Sequence, residues 1–205
     1  MVVGPLETNC WIYPTGPGEA AIIDPGDEAE SIIKTLEKHS LTAKYILLTH
    51  GHFDHIGAVP MLIEALNPKP KIAIHNQDSM YLGKEAYKAH SISIKSAMGS
   101  TAFIDAFWKN MPLPDILLEE GSTIASFTVL HLPGHTQGCA AFWDKDASVI
   151  FTGDTLFKNG YGRTDLPGGN TEQLFESLRR LQTLDPNTVV YPGHGETTTI
   201  KQEKF

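Results

Sequence analysis

The stretch Tyr45-Ile46-Leu47-Leu48-Thr49-His50-Gly51-His52-Phe53-Asp54-His55 carries a short apolar run straight into three imidazoles and a carboxylate. The apolar run reads as a buried strand, and residues 56–66 beyond the cluster read as a helix closed by Pro68 and Pro70. Packing alone does not call for three histidines and an aspartate at such a junction. Neutral imidazole nitrogen and carboxylate oxygen are ligands of first-row divalent metals, and a cluster without thiolate suits zinc, iron or manganese. An extended turn sends His50 and His52 to one side and lets Asp54 and His55 reach another, a layout for two adjacent ions.

Three later positions repeat the theme, each in a glycine-bearing turn at a strand end. They are His135 in Leu132-Pro133-Gly134-His135-Thr136, Asp154 in Phe151-Thr152-Gly153-Asp154-Thr155 and His194 in Tyr191-Pro192-Gly193-His194-Gly195. Glycine lets the backbone turn sharply so that the next side chain projects into a cleft. Each alone is an ordinary turn residue; with the first cluster they complete a set of five histidines and two aspartates.

Residues 10–13 and 20–23 read as strands joined through the Pro/Gly turn at 14–18. Residues 27–39 form an amphipathic helix on Ala29, Ile32, Ile33 and Leu36, and residues 71–74 another strand. Between about 77 and 118 the apolar residues fall in short helical pieces, read as a helical insertion. Residues 123–132, 138–143 and 148–152 read as successive strands, 171–181 as a helix and 188–191 as a last strand. This pattern predicts an α/β chain with helices packed on sheet layers, a single domain over residues 1–205.

The composition is that of an ordinary globular protein: 205 residues, 41% hydrophobic, 20% charged, net charge −8. No Lys/Arg cluster is present, which argues against nucleic acid as a partner. No apolar run approaches the ~18 residues of a membrane span. Two cysteines suggest a reduced, cytoplasmic chain.

The histidine and aspartate pattern resembles the metallo-β-lactamase superfamily, whose H-x-H-x-D-H signature stands here at residues 50–55, followed by His135, Asp154 and His194. Gly4-Pro5-Leu6-Glu7-Thr8-Asn9-Cys10-Trp11, Gly134-His135-Thr136 and Gly153-Asp154-Thr155-Leu156-Phe157 are similar to the glyoxalase II group within it. The resemblance implies a four-layer αββα sandwich with metals at the sheet edge. It implies one metal held by His50, His52 and His135, a second by Asp54, His55 and His194, and Asp154 bridging both. The cofactors are then two divalent ions, zinc first, with iron or manganese as alternatives. The implied reaction is thioester hydrolysis: the ions acidify a shared water, the hydroxide attacks the carbonyl, and Asp54 orients it and takes its proton. Many β-lactamases of this fold carry cysteine where this chain has Asp154, which points away from antibiotic hydrolysis. Two divalent ions outweigh the aspartates and a hydroxide, so the site is locally cationic and suited to a small anionic thioester, hydroxyacylglutathione in the first place.

In the longer glyoxalase II enzymes a strand precedes the Gly-Pro-Leu turn, and a C-terminal helical domain contacts glutathione. This sequence stops 11 residues after His194, so the expectation is a chain without that domain. Arg163, in Gly162-Arg163-Thr164-Asp165, stands where the longer enzymes place a glutathione-contacting lysine. It reads either as a contact to a substrate carboxylate or as a partner of Asp165 that pins the loop. The same run is shared with persulfide dioxygenases, which makes a single-iron dioxygenase, using ligands from among His50, His52, His135 and Asp154, the alternative activity. A metal-binding module without catalysis is the third reading. His39, His75, His90 and His131 read as surface or supporting residues, Cys139 as a small core residue, and Phe107 and Trp108 as packing.

Overall fold

Successive strand side chains point to opposite faces, so residues 20–23 present Ala20 and Ile22 to one side and Ala21 and Ile23 to the other. All four have no exposed surface. A strand buried on both faces lies between two layers, and the whole chain is organised around that fact. The computed structural model describes residues 1–204.

A short antiparallel pair, β1 (Val2–Val3) and β2 (Thr8–Asn9), opens the chain. The hairpin β3 (Trp11–Gly16) and β4 (Glu19–Ile23) follows, and β5 (Thr42–Leu48), β6 (Lys71–His75) and β7 (Ile116–Leu118) add to it in parallel. The first sheet thus has the order β3-β4-β5-β6-β7. The second contains β8 (Thr123–Ile124), β9 (Phe127–His131), β10 (Ala140–Asp144) and β11 (Val149–Gly153). A small hairpin, β12 (Leu156–Phe157) and β13 (Gly160–Tyr161), intervenes before β14 (Val189–Pro192) and β15 (Thr198–Thr199) complete the order β15-β14-β11-β10-β9-β8. Only β11 and β14 pair in parallel there.

Ala21, Ile23, Leu47 and Ala73 of the first sheet meet Phe127, Val129, Phe142 and Phe151 of the second in the sandwich interior. The outer face of the first sheet, with Ile22, Ile46, Ile72 and Ile74, is covered by α1 (Ala29–Lys38), α2 (Phe53–Ile56), α3 (Val59–Ala65), α4 (Ala86–Met98) and α5 (Ala102–Phe107). Leu130, Ala141, Ile150 and Val190 on the other outer face pack against Leu174, Leu178 and Leu181 of α6 (Thr171–Leu181). Asn170 caps α6, its side chain accepting from the Gln173 N–H at 3.0 Å. These are the four layers, αββα, that the resemblance implied. Phe142 is wholly enclosed between the sheets, so Phe142→Ala is expected to cost about 3–5 kcal/mol in denaturant unfolding. A cost below ~1 kcal/mol would contradict this account of the interior.

The structure differs from the sequence reading in several places. Residues 123–132 form a two-strand hairpin, because Ala125 takes a left-handed φ of 51° and reverses the chain between β8 and β9. The helical stretch ends at Phe107, and residues 116–118 are an edge strand of the first sheet rather than part of an insertion. The helix expected over 56–66 starts earlier, at Phe53, and is split in two. Phe107 is 64% exposed, its ring resting on Phe103 at 5.2 Å outside the core, whereas Trp108 is partly buried against the outer core. His75 is buried and stacks on His131 with ring centres 4.0 Å apart. His90 is sealed among Phe53, Tyr81 and Trp108. Cys10 and Cys139 are both buried free thiols. Among the described residues no helix is long and apolar enough to cross a membrane.

Candidate metal centre

Strands β5, β9, β11 and β14 deliver their C-terminal ends to one edge of the sandwich, and the loops that leave them carry His50, His52, Asp54, His55, His135, Asp154 and His194. All seven come together. Ligand-capable atoms of His50, His52 and His135 lie within 4.8 Å of one another, as do those of Asp54, His55 and His194, and those of His50, His55 and Asp154. Asp154 sits between the first two groups: Oδ2 is 3.6 Å from both His135 Nε2 and His194 Nε2, and Oδ1 is 3.3 Å from His55 Nε2.

Two of the glycines that precede these ligands have different reasons to be there. Gly153 has a φ of +50°, and a Cβ on it would lie 2.2 Å from Thr49 Oγ1. Gly193 needs no unusual φ; a Cβ there would lie 2.2 Å from Asp154 Oδ1 and 2.8 Å from His55 Cε1. The first permits a turn, and the second leaves room for two ligands.

Hydrogen bonds on the outer nitrogens fix which ring atom faces inward. Thr49 Oγ1 donates its only hydrogen to Asp24 Oδ2 at 2.6 Å, so it accepts from His50 Nδ1 at 3.1 Å. His55 Nδ1 donates to Asp24 Oδ2 at 3.0 Å. His135 Nδ1 donates to the Arg163 carbonyl at 2.7 Å. In each case the proton is on Nδ1 and the Nε2 lone pair points into the centre. His52 presents the opposite nitrogen, with Nδ1 2.9 Å from His135 Nε2. His50 Nε2, His55 Nε2 and Asp154 Oδ1 are buried without a hydrogen-bond partner. Buried polar atoms are normally paired, and metal-binding histidines normally donate the other ring N–H to a carboxylate or carbonyl. Three unbonded acceptor atoms converging from the ends of β5 and β11 therefore fit a metal site.

The electrostatics agree with that chemistry. Burial, then the neighbouring imidazoles, push His50 well below its ordinary range, and burial and His135 bring His52 down to about 3. Both present neutral, metal-competent rings. Burial alone would lower His55, but Asp154 and Asp54 outweigh it and raise it well above the usual value. Burial likewise pushes the Asp154 carboxyl up, and His55 and its neighbours overcome this and hold it at about 2. Two carboxylates so placed demand positive charge, which divalent cations supply. Asp54 is the more open of the two, with Oδ2 3.4 Å from His194 Nε2 and 3.5 Å from His55 Nε2, and it accepts from Thr8 Oγ1 at 3.1 Å.

Three supporting residues escaped the sequence reading. Asp24, at the end of β4, accepts from Thr49 N, Thr49 Oγ1 and His55 Nδ1. Asp24-Pro25-Gly26 also follows an apolar strand, but its glycine comes after the aspartate, so it lacks the glycine-then-ligand pattern of the other sites. Asp78 accepts from Gly51 N, Thr136 Oγ1 and Gly138 N, tying the first ligand loop to the loop of His135. Asn9 holds the His194 turn through Pro192 O and Gly195 O. Arg163 lines the cleft, its guanidinium bonded to both oxygens of Asp165 at 2.7 and 2.6 Å.

The sequence model of the metallo-beta-lactamase superfamily matches residues 3–194, and the chain belongs to that superfamily. Among curated relatives, hydroxyacylglutathione hydrolase GloC of Haemophilus influenzae is 38% identical, over 97% of this chain and 91% of its own. Among solved structures, TTHA1623 in a di-iron-bound form is 40% identical with a TM-score of 0.85, covering 98% of this chain and 94% of that one. The BLEG-1 B3 metallo-beta-lactamase is 35% identical with a TM-score of 0.83, covering 98% and 93%.

Proposed function

We propose that the protein is a metal-dependent hydrolase that cleaves a thioester, with hydroxyacylglutathione the first compound to test and two divalent ions, zinc foremost, as cofactors. The observation that carries this reading is the pair of ligand groups with Asp154 within 3.3–3.6 Å of nitrogens from both, and unbonded nitrogens aimed inward. His50, His52 and His135 would hold one ion, Asp54, His55 and His194 the other, and Asp154 both. Such ions supply Lewis acidity and a water acidified enough to be a nucleophile near neutral pH. The chain supplies the rest. Asp24, Thr49 and the Arg163 carbonyl lock the imidazole orientations, so no reorganisation is needed during turnover. Asp54, half-buried and open to the cleft, orients the attacking water and takes its proton. Water oxygen adds to the carbonyl carbon, the C–S bond breaks, the proton held by Asp54 passes to the departing sulfur, and the thiol leaves with a carboxylate whose own proton goes to solvent.

The kinship to GloC favours the thioester, and the kinship to BLEG-1 makes a β-lactam the comparison substrate. Zinc-loaded protein is expected to turn over hydroxyacylglutathione with a higher kcat/KM than any β-lactam offered. Turnover of the β-lactam alone overturns the thioester reading. A single-iron dioxygenase leaves Asp54, His55 and His194 without a task, although they are as closely grouped as the other three.

Of the two roles open to Arg163, loop pinning suits its bonds to Asp165. Arg163→Ala keeps the carbonyl that orients His135, so it is expected to shift KM for carboxylated and neutral thioesters by the same factor. A rise confined to the carboxylated compound assigns the guanidinium to substrate instead.

A further inference from the structure

The cleft over the metal ligands is a cavity of about 250 Å³, small beside the ~300–1,000 Å³ of drug-sized ligand sites. One wall is the ligand cluster. The opposite wall is α4, which contributes Ile94, Ala97 and Met98, with Leu6 and Leu166 at the rim. Met98 is 48% exposed and Leu6 45% exposed, whereas Ile94 is partly buried against the outer core and presents its remaining surface to the cavity. Two polar α4 residues also line the cavity: Ser93 Oγ lies 3.1 Å from Tyr81 Oη, and His90 bonds Tyr81 O through Nε2 at 3.0 Å, its ring fully enclosed and its Nδ1 without a partner. Arg163 is the one Lys or Arg side chain among the residues lining the cleft, and Asp165 holds it.

We infer that the α4 wall is the acyl-binding subsite, and that Ile94 and Met98 select thioesters whose acyl group is a short aliphatic chain. This rests on the thioester reading above. The peptide portion of glutathione, with two carboxylates and two amides, finds no exposed cation or polar side chain among the cavity-lining residues of α4, where Ser93 and His90 are buried, so it faces outward. An aliphatic acyl chain lying against Ile94 and Met98 loses apolar surface to the protein while its carbonyl carbon sits over the ligand cluster. Continuity of the wall with the metal ligands in one cavity is what ties it to the reacting group rather than to a macromolecular partner.

The test holds the thiol constant and varies the acyl group. Zinc-loaded protein is assayed with the lactoyl, acetyl, butanoyl and hexanoyl thioesters of glutathione. Burial of a methylene corresponds to about a fourfold gain in kcat/KM, so butanoyl is expected to exceed acetyl by about 15-fold and to exceed lactoyl as well. Met98→Lys, at an exposed position, is expected to flatten the rise with chain length, and Ile94→Ala to do so independently. A flat or falling dependence on chain length, with lactoyl turned over best, overturns the subsite and leaves the thioester reading standing. Wild-type length dependence kept by both variants moves the subsite off α4 and also overturns the inference. No turnover of any thioester in the series overturns the thioester reading itself, and the subsite with it.

Discussion

Asp54→Ala is expected to fold normally and to lose at least about 10³-fold in kcat, within the range by which a positioned acid or base accelerates proton transfer. The side chain sits in the first turn of a four-residue helix and is half-buried, so its removal disturbs little packing. Its chemical loss is larger. Oδ2 is the carboxylate oxygen shared between His55 and His194 and faces the cleft, so the variant has neither the second anion at the centre nor a base for the attacking water. The check is kcat at saturating metal together with the melting curve. Near-native kcat with an unchanged melting curve would remove Asp54 from the role given to it.

Asp24→Ala is expected to have the largest effect on stability. The carboxylate is 1% exposed and accepts from Thr49 N at 2.8 Å, Thr49 Oγ1 at 2.6 Å and His55 Nδ1 at 3.0 Å. Alanine leaves these donors buried without acceptors, each costing about 1–3 kcal/mol, a large part of the ~5–15 kcal/mol that holds a domain together. The same change frees His55 to rotate and releases the threonine that orients His50, and loss of such outer contacts weakens metal binding by about 10–100-fold. Denaturant unfolding and zinc titration measure the two effects. Asp24→Asn, which keeps one acceptor oxygen, is expected to fall between alanine and the native residue; a variant as stable and as tight for zinc as the native protein would show that Asp24 does not organise the centre.

Much of the centre was legible because its chemistry is locally dense. Three histidines and an aspartate between His50 and His55 have no packing explanation, and His135, Asp154 and His194 each follow a glycine at a strand end. The layers were legible for a related reason: the unbroken apolar run in residues 20–23 and the apolar face of Leu174, Phe175, Leu178 and Leu181 in α6 are strong signals. Asp24 and Asp78 were not, because a single aspartate in a turn is commonplace and its partners lie 25 or more positions away in the chain. The α4 wall was hidden differently. Its outward and cleft-facing residues are mixed, so Ile92, Ile94 and Met98 do not form one buried stripe. Likewise Phe107 looked like core by composition and turned out to be exposed, since it is the last residue of α5, whose buried contact is made by Ile104.

The proposed function requires both ligand groups to hold metal and together to hydrolyse a thioester. Titrating metal-stripped protein with zinc while following release of thiol from an acylglutathione tests it directly. Activity is expected to rise until two ions are bound per chain, without oxygen consumption. Full activity at a single iron per chain, with oxygen consumed on a persulfide and no thioester cleaved, would contradict it.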